Sequence, residues 1–554
     1  MERESVRNRE LLEKYKPLPN PWFSSNIAYE GWGKATFEKP KGTVEGRTRI
    51  NVSENGEFDV VMEMEHLYTT ERIAGKGSFQ IHKFVTGNLG TDNEIIDTGK
   101  IENPCSRLTV DTGEGIFTAN GNIYFSVGWG LEDKIKYYIS SGNYRVNTCK
   151  DPVYWIAPLT NFIRSFPYNF EPLIVNHPLR LFITPVVPTL SDEGQMRDAL
   201  LAANRANKMF GFVYKYRVGY IQPTIDYKEK GEKIKSGDIK QGITALMVSE
   251  IAPEMDEEKF SEDYTLLLSI AIGNLITCHW IEFRDKLGNL VSRKHELTIK
   301  SGYKEGYAII PEFNDLGISQ LLSAASIAKA FHEDYYHVLL AHLARLQSFS
   351  RQIEDHMDLL CRTFDFLGEV FDLGTQNLMD GLSLGEKQEV NSILQDAAKR
   401  LKQLQLQTKN HSKNKIQQIQ DRIINANNMS RAFGLTVMDL LAKFDLYDEQ
   451  VMNNYYSHQP RGEKRTWAGK LSMYRGTVIH RGYFQTRNGL HNFDEIIQTE
   501  DHLHDILVRF ALKIINFEGN YQPRVIQHVV TDKTANWVTE TTPAEGLGYG
   551  GLER

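Results

Sequence analysis

From about residue 22 to 150 the apolar positions alternate with polar ones over short runs. "TRINV" (48–52), "FDVVMEM" (58–64), "SFQIHKFV" (78–85) and "IYFSVGW" (123–129) are rich in β-branched and aromatic residues. Turn-forming stretches such as "SENGE" (53–57) and "GNLGTDNE" (87–94) separate them, and this pattern predicts β-strands. Residues 151–310 are mixed. A helix is predicted over "EGQMRDALLAANRANKMF" (193–210), and "HWIEFRD", "KLGN" and "LVSRKHELTI" (279–299) predict a β-hairpin. The most apolar stretch, "LLLSIAIGNLITCHWI" (266–281), is interrupted by Asn274 and too short to span a bilayer, so it predicts buried sheet or core helix.

Near residue 316 the period changes from two to about 3.6. Residues 318–372 are almost free of Gly and Pro, with helical spacing that predicts a long helix pair. In the next helix, over 386–407, Val390, Ile393, Leu394, Ala397, Leu401 and Leu404 fall on one face. A polar interruption, "QTKNHSKNK" (407–415), precedes helices predicted at about 416–426, 433–443, 466–480 and 500–516. The expected fold is α+β: a polar leader (1–21), a β-rich or mixed region (22–310, with a sub-boundary near 150), an all-α helical bundle (316–525) and a C-terminal tail (526–554). No repeat of fixed period occurs.

Composition narrows the function classes. The content is 41% hydrophobic and 24% charged, ordinary for a globular chain. The four cysteines, Cys105, Cys149, Cys278 and Cys361, show neither disulfide nor zinc spacing. "MERESVRNRELLEKYK" at the start has no apolar core for a signal peptide. These features predict a cytoplasmic protein without a membrane segment. A net charge of −7 argues against a chain coated in nucleic acid but allows a local basic patch.

Several chemical groupings fail on geometry. His502 and His504 in "DHLHD" (501–505) point about 200° apart on a helix and cannot share a metal, which leaves them on a polar or half-buried face. Cys278–His279 has no second ligand pair nearby. The glycines of "GLGYGG" (546–551) follow no predicted strand. Gly-x-Ser-x-Gly, Walker and His-Glu-x-x-His patterns do not occur. No metal ligands and no cofactor are expected.

The remaining candidate is an Arg…His pair. With 29 arginines and 16 histidines in 554 residues, chance alone places two or three pairs with four to six intervening residues, and two occur. "RQIEDH" (351–356) lies in an amphipathic helix with Glu354 and Asp355 inside it, and reads as helix surface. "RGTVIH" (475–480) has different neighbours. Between Arg461 and Arg487 stand seven basic residues (Arg461, Lys464, Arg465, Lys470, Arg475, Arg481 and Arg487) and one acidic residue, Glu463. Trp467, Tyr474, Tyr483 and Phe484 are interleaved. Such charge neutralises phosphates, and aromatic faces stack on unpaired bases. The RNA-contact candidates are therefore Arg481, Arg465, Lys470, Arg487, Tyr474 and Tyr483.

RNA carries its own nucleophile, the 2′-hydroxyl. A neutral imidazole at His480 can take its proton, and a guanidinium at Arg475 can hold the scissile phosphate. The two are a minimal kit for metal-free cleavage to a 2′,3′-cyclic phosphate. At i, i+5 an ideal helix sets them about 140° apart. Either the helix is distorted near Gly476, or each residue meets a partner from another chain.

"YRGTVIHRG" resembles the Arg-x4–6-His signature of HEPN domains, in which the motif follows an aromatic or apolar residue and is often trailed by a glycine. The helical plan before it and the closing "TEDHLHDILVRFALKIINF" (499–517) are similar as well. A β-rich region ahead of the helices is similar to ApeA-like anti-phage proteins. The resemblance implies a homodimer formed through the helical domain, RNA as substrate with tRNA among the candidates, Arg475 on the phosphate and His480 in the acid–base step. It also implies an N-terminal region that senses a phage product or restrains the nuclease. One departure is Gly476, where many active members carry a polar residue. The rival reading is a dimerisation or binding scaffold that holds RNA or a partner without cutting.

Overall fold

A computed structural model of the chain describes residues 27–38, 41–69, 105–127, 134–147, 151–164, 210–214, 217–224, 226–252, 256–285, 288–296, 306–310, 317–348, 352–373, 382–407, 412–413, 415–417, 419–420, 433–447, 467–484, 493–519 and 521–522. The strand expected at 78–85 and the helices expected at 193–210 and across most of 416–426 lie outside these residues. The described residues form two compact units: those up to His332 together with Ile515–Tyr521, and those from Glu333 to Ile514.

The first unit is built on antiparallel strands. β1 (Ile27–Glu38), β2 (Lys41–Val52), β3 (Phe58–Thr69), β4 (Cys105–Asp111), β5 (Gly115–Val127) and β6 (Lys134–Tyr138) pair in the order β4-β1-β2-β3-β6-β5. β5 then pairs back on β4, which closes a ring of six strands. Closure removes the free sheet edges at which chains associate. The first half of β5 also pairs with β7 (Ser141–Val146). β7 leads into a second run with β13 (Leu290–Glu296), β12 (Trp280–Arg284), β8 (Tyr154–Thr160), β11 (Ile243–Glu250), β10 (Arg217–Pro223) and β9 (Phe210–Tyr214).

Burial follows the residue pattern. In β7 alternate residues are buried, as one covered face requires. β8 and β11 are buried along nearly their whole length, so both of their faces are covered. α1 (Tyr227–Ser236) packs on β11, α2 (Glu257–Ile272) on β8, and α3 (Gly317–Ile327) on β9. The apolar run at 266–281 thus divides into the end of α2, a turn and the start of β12. Gly273 makes that turn at φ +70, with Tyr307 backbone where a Cβ would stand. Asn274 uses its side-chain amide to cap the Asn161 carbonyl at 2.6 Å.

The predicted 279–299 hairpin is present as β12 and β13. Its buried polar residues form a network. Glu282 accepts Nε of Arg293 at 2.8 Å and Nε and Nη2 of Arg284. His295 receives the Tyr29 hydroxyl contact at 2.8 Å and lies among the rings of Tyr29, Phe58, Phe117 and Trp280. Burial pushes its imidazole down to about 3, which keeps it neutral at physiological pH.

The second unit is helical: α4 (Asp334–Ser348), α5 (Ile353–Val370), α6 (Leu384–Gln407), α7 (Phe433–Lys443), α8 (Trp467–Arg481) and α9 (Phe493–Ile514). α9 packs on α4 and α5, and α8 packs on α5 and α7. Phe364 of α5, Phe433 of α7 and Phe510 of α9 meet edge to face at the centre. Among the described residues, no helix is long and apolar enough to cross a membrane.

Candidate functional site

α8 forms because Leu471, Tyr474 and Val478 repeat at helical spacing and are buried. It ends at Gly482, which adopts φ +72 and donates its N–H to the Val478 carbonyl at 2.8 Å. Gly482 supplies a left-handed cap at low cost, so the second Arg-Gly of the motif region is a helix stop. Gly476 is different. It sits inside a continuous helix, and a Cβ there would meet open space. The helix is therefore not broken at Gly476, and the roughly 140° offset between Arg475 and His480 stands.

Two neighbouring helices hold α8. The α7 N-terminus comes so close that a Cβ on Gly434 would lie 2.0 Å from the Ala468 carbonyl oxygen. At the same crossing, Gly434 N–H donates to Ser472 Oγ at 3.0 Å, and that hydroxyl donates to the Ala468 carbonyl at 2.9 Å. Gly434→Ala is expected to push the helices apart and to destabilise the unit by about 1–3 kcal/mol, measured by thermal unfolding. A Tm equal to wild type would mean that the crossing relaxes freely.

α5 runs antiparallel to α8 and touches it at two places. Glu354 Oε1 accepts the Phe484 N–H at 3.4 Å, just beyond the motif. Asp365 Oδ2 accepts Nε and Nη2 of Arg475 at 2.9 and 2.8 Å. The Arg475 guanidinium also lies 5.6 Å from the Phe433 ring centroid. Its side chain remains 34% exposed. Arg475 is thus fixed in orientation by one carboxylate oxygen and a ring, with part of the guanidinium open to a ligand. His480 and Arg481 occupy the last turn of the same helix.

The other RNA-contact candidates divide. Tyr483 is exposed, 52% by surface. Arg465 and Arg487 lie outside the described residues. Tyr474 is buried at 2% exposure with Phe484 edge-on at 5.9 Å. Lys470 is buried at 4% exposure. In this fold neither Tyr474 nor Lys470 presents a surface to an RNA strand, which corrects the expectation for both. They fall on the stripe that packs α8 into the bundle, and a count of basic and aromatic residues does not see that stripe.

Burial pushes the Lys470 ammonium down to about 8 from its ordinary 10.5. The folded state therefore releases a proton that the unfolded state keeps between these two values. Stability is expected to rise with pH across that window. Comparing urea midpoints of wild type and Lys470→Met at about pH 7 and about pH 10 checks the sign: the wild type should gain relative to the variant at the higher pH.

Sequence reasoning missed a second polar group in this unit. His356, read as helix surface, is buried and meets Glu500 of α9 at 3.0 Å between Nδ1 and Oε1. His502 and His504 are fully buried on α9 rather than on a polar or half-buried face. Asp505 pairs with Arg509 one turn on. Among the described residues, no three His, Cys, Asp or Glu side chains are grouped to hold a metal ion. Asp365 was also missed, since nothing local marks a partner 110 residues away.

No family model, curated protein or solved structure matches this chain.

Proposed function

We propose that the helical unit is a metal-independent endoribonuclease of HEPN type that acts as a homodimer in anti-phage defence. The β-rich unit would sense a phage-derived trigger or restrain cleavage. The observation that carries this reading is Arg475, oriented by Asp365 yet partly exposed, on the continuous helix that also bears His480.

In the proposed reaction His480 takes the proton of the 2′-hydroxyl as its oxygen attacks phosphorus. Arg475 binds the non-bridging oxygens as charge grows on them. The bond to the 5′-oxygen breaks, that oxygen takes up a proton, and a 2′,3′-cyclic phosphate remains. With the two side chains about 140° apart on one helix, each works opposite a residue of the second copy.

A specific observation favours a second reading, a non-catalytic scaffold. Asp365 already neutralises Arg475 and would repel a phosphate placed beside it. Gly476 adds no polar contact. Incubating wild type and His480→Ala with tRNA and mixed RNA in excess EDTA, with and without phage lysate, separates the two. Cleavage by wild type that is lost in the variant supports the nuclease. RNA bound but uncut under every condition favours the scaffold.

A further inference from the structure

α6 is 24 residues long, about 36 Å, yet Ala398 is its one buried residue. Its apolar positions Val390, Leu394, Ala397, Leu401 and Leu404 alternate in steps of four and three, the spacing of a two-helix seam. One flank of this seam is covered by the helical residues near 416–420, where Gln405 donates to Gln417 at 2.6 Å. The other flank is open. Ile393 is 61% exposed and Leu404 50%. Eleven residues apart, these two come within about 20° of each other around the helix, and Ala398 lies about 140° from Ile393.

The charges are sorted along the same helix. Its first half carries Glu386, Glu389 and Asp396 against Lys387, and its second half carries Lys399, Arg400 and Lys402. Parallel copies would set like charges side by side. Antiparallel copies set the acidic half of each against the basic half of the other, and bring Ile393 opposite Leu404 of the second copy. Sorted charge of this kind fixes orientation between paired helices.

We propose that α6 is a self-association arm, and that its open apolar flank is covered by α6 of a second copy of this chain in antiparallel orientation. This holds whether or not the helical unit cuts RNA. Sedimentation velocity on the full chain over a range of concentrations tests it. Wild type should form a dimer, and Ile393→Asp/Leu404→Asp should be monomeric with an unchanged far-UV spectrum.

Glu386→Lys/Glu389→Lys/Asp396→Lys should weaken the dimer by about tenfold or more. Adding Lys399→Glu/Arg400→Glu/Lys402→Glu to that chain should restore it, because both halves are then reversed. A wild type that stays monomeric overturns the proposal. So does a dimer indifferent to Ile393 and Leu404, or a full reversal that fails to restore association.

Discussion

Glu282→Ala is expected to cost about 3–5 kcal/mol of folding free energy, the range for stripping one partner from a buried ion pair. Glu282 has no exposed surface and accepts from both Arg284 and Arg293. Arg284 is itself tied to the hairpin turn, its Nη1 donating to the Gly288 carbonyl at 2.8 Å. Removing the carboxylate leaves two guanidinium groups facing each other, with side chains only 6% and 14% exposed. Glu282→Gln keeps the shape and an acceptor, and should fall between wild type and alanine. Urea unfolding followed by tryptophan fluorescence reads the effect, since Trp155 and Trp280 are buried in the same unit. A loss below about 1 kcal/mol would show that the hairpin is held by apolar packing alone.

The second large effect concerns activity. Under the nuclease reading, His480→Ala removes the group that takes the 2′-hydroxyl proton. It should slow single-turnover RNA cleavage by about 10²–10⁴-fold. Arg475→Ala should cost about 10²–10³-fold, the range for losing one stabiliser of developing charge. Arg475→Lys keeps the charge, but a lysine cannot reproduce the two-nitrogen contact with Asp365. It should therefore recover little of the rate. Equal rates in wild type and His480→Ala would remove His480 from the chemistry.

What the sequence disclosed depends on whether a signal is local. α7 and α8 fall where the apolar period placed them, because Val437, Leu440 and Leu441, and Leu471, Tyr474 and Val478, are regular stripes. The β12–β13 hairpin was legible from two alternating runs around a turn. Closure of the six-stranded ring was not. It depends on β4 meeting β1 across about seventy residues of chain, and alternation in β4 does not say which strand it joins.

The same limit applies at the site. Arg475 and His480 were visible as a motif, but Asp365 and the His356–Glu500 pair exist only through contacts 110 and 144 residues apart. Lys470 was misread for a related reason. Its charge suggested a surface residue, yet it is one position from Leu471 and four from Tyr474, on the stripe that faces inward. The apolar face of α6 was read correctly from its period, but periodicity cannot say whether such a face is covered.

The chemistry at the newly made 3′ end is the measurement that tests the nuclease reading most directly. Wild type, activated with phage lysate where needed, would cut a defined RNA in excess EDTA, and the fragments would be analysed by mass spectrometry. Attack by the 2′-hydroxyl, with His480 and Arg475 in their proposed roles, predicts a 2′,3′-cyclic phosphate and no cleavage where a single 2′-deoxy nucleotide replaces the reacting one. A 3′-hydroxyl end, or cleavage that persists at the 2′-deoxy position, would contradict it.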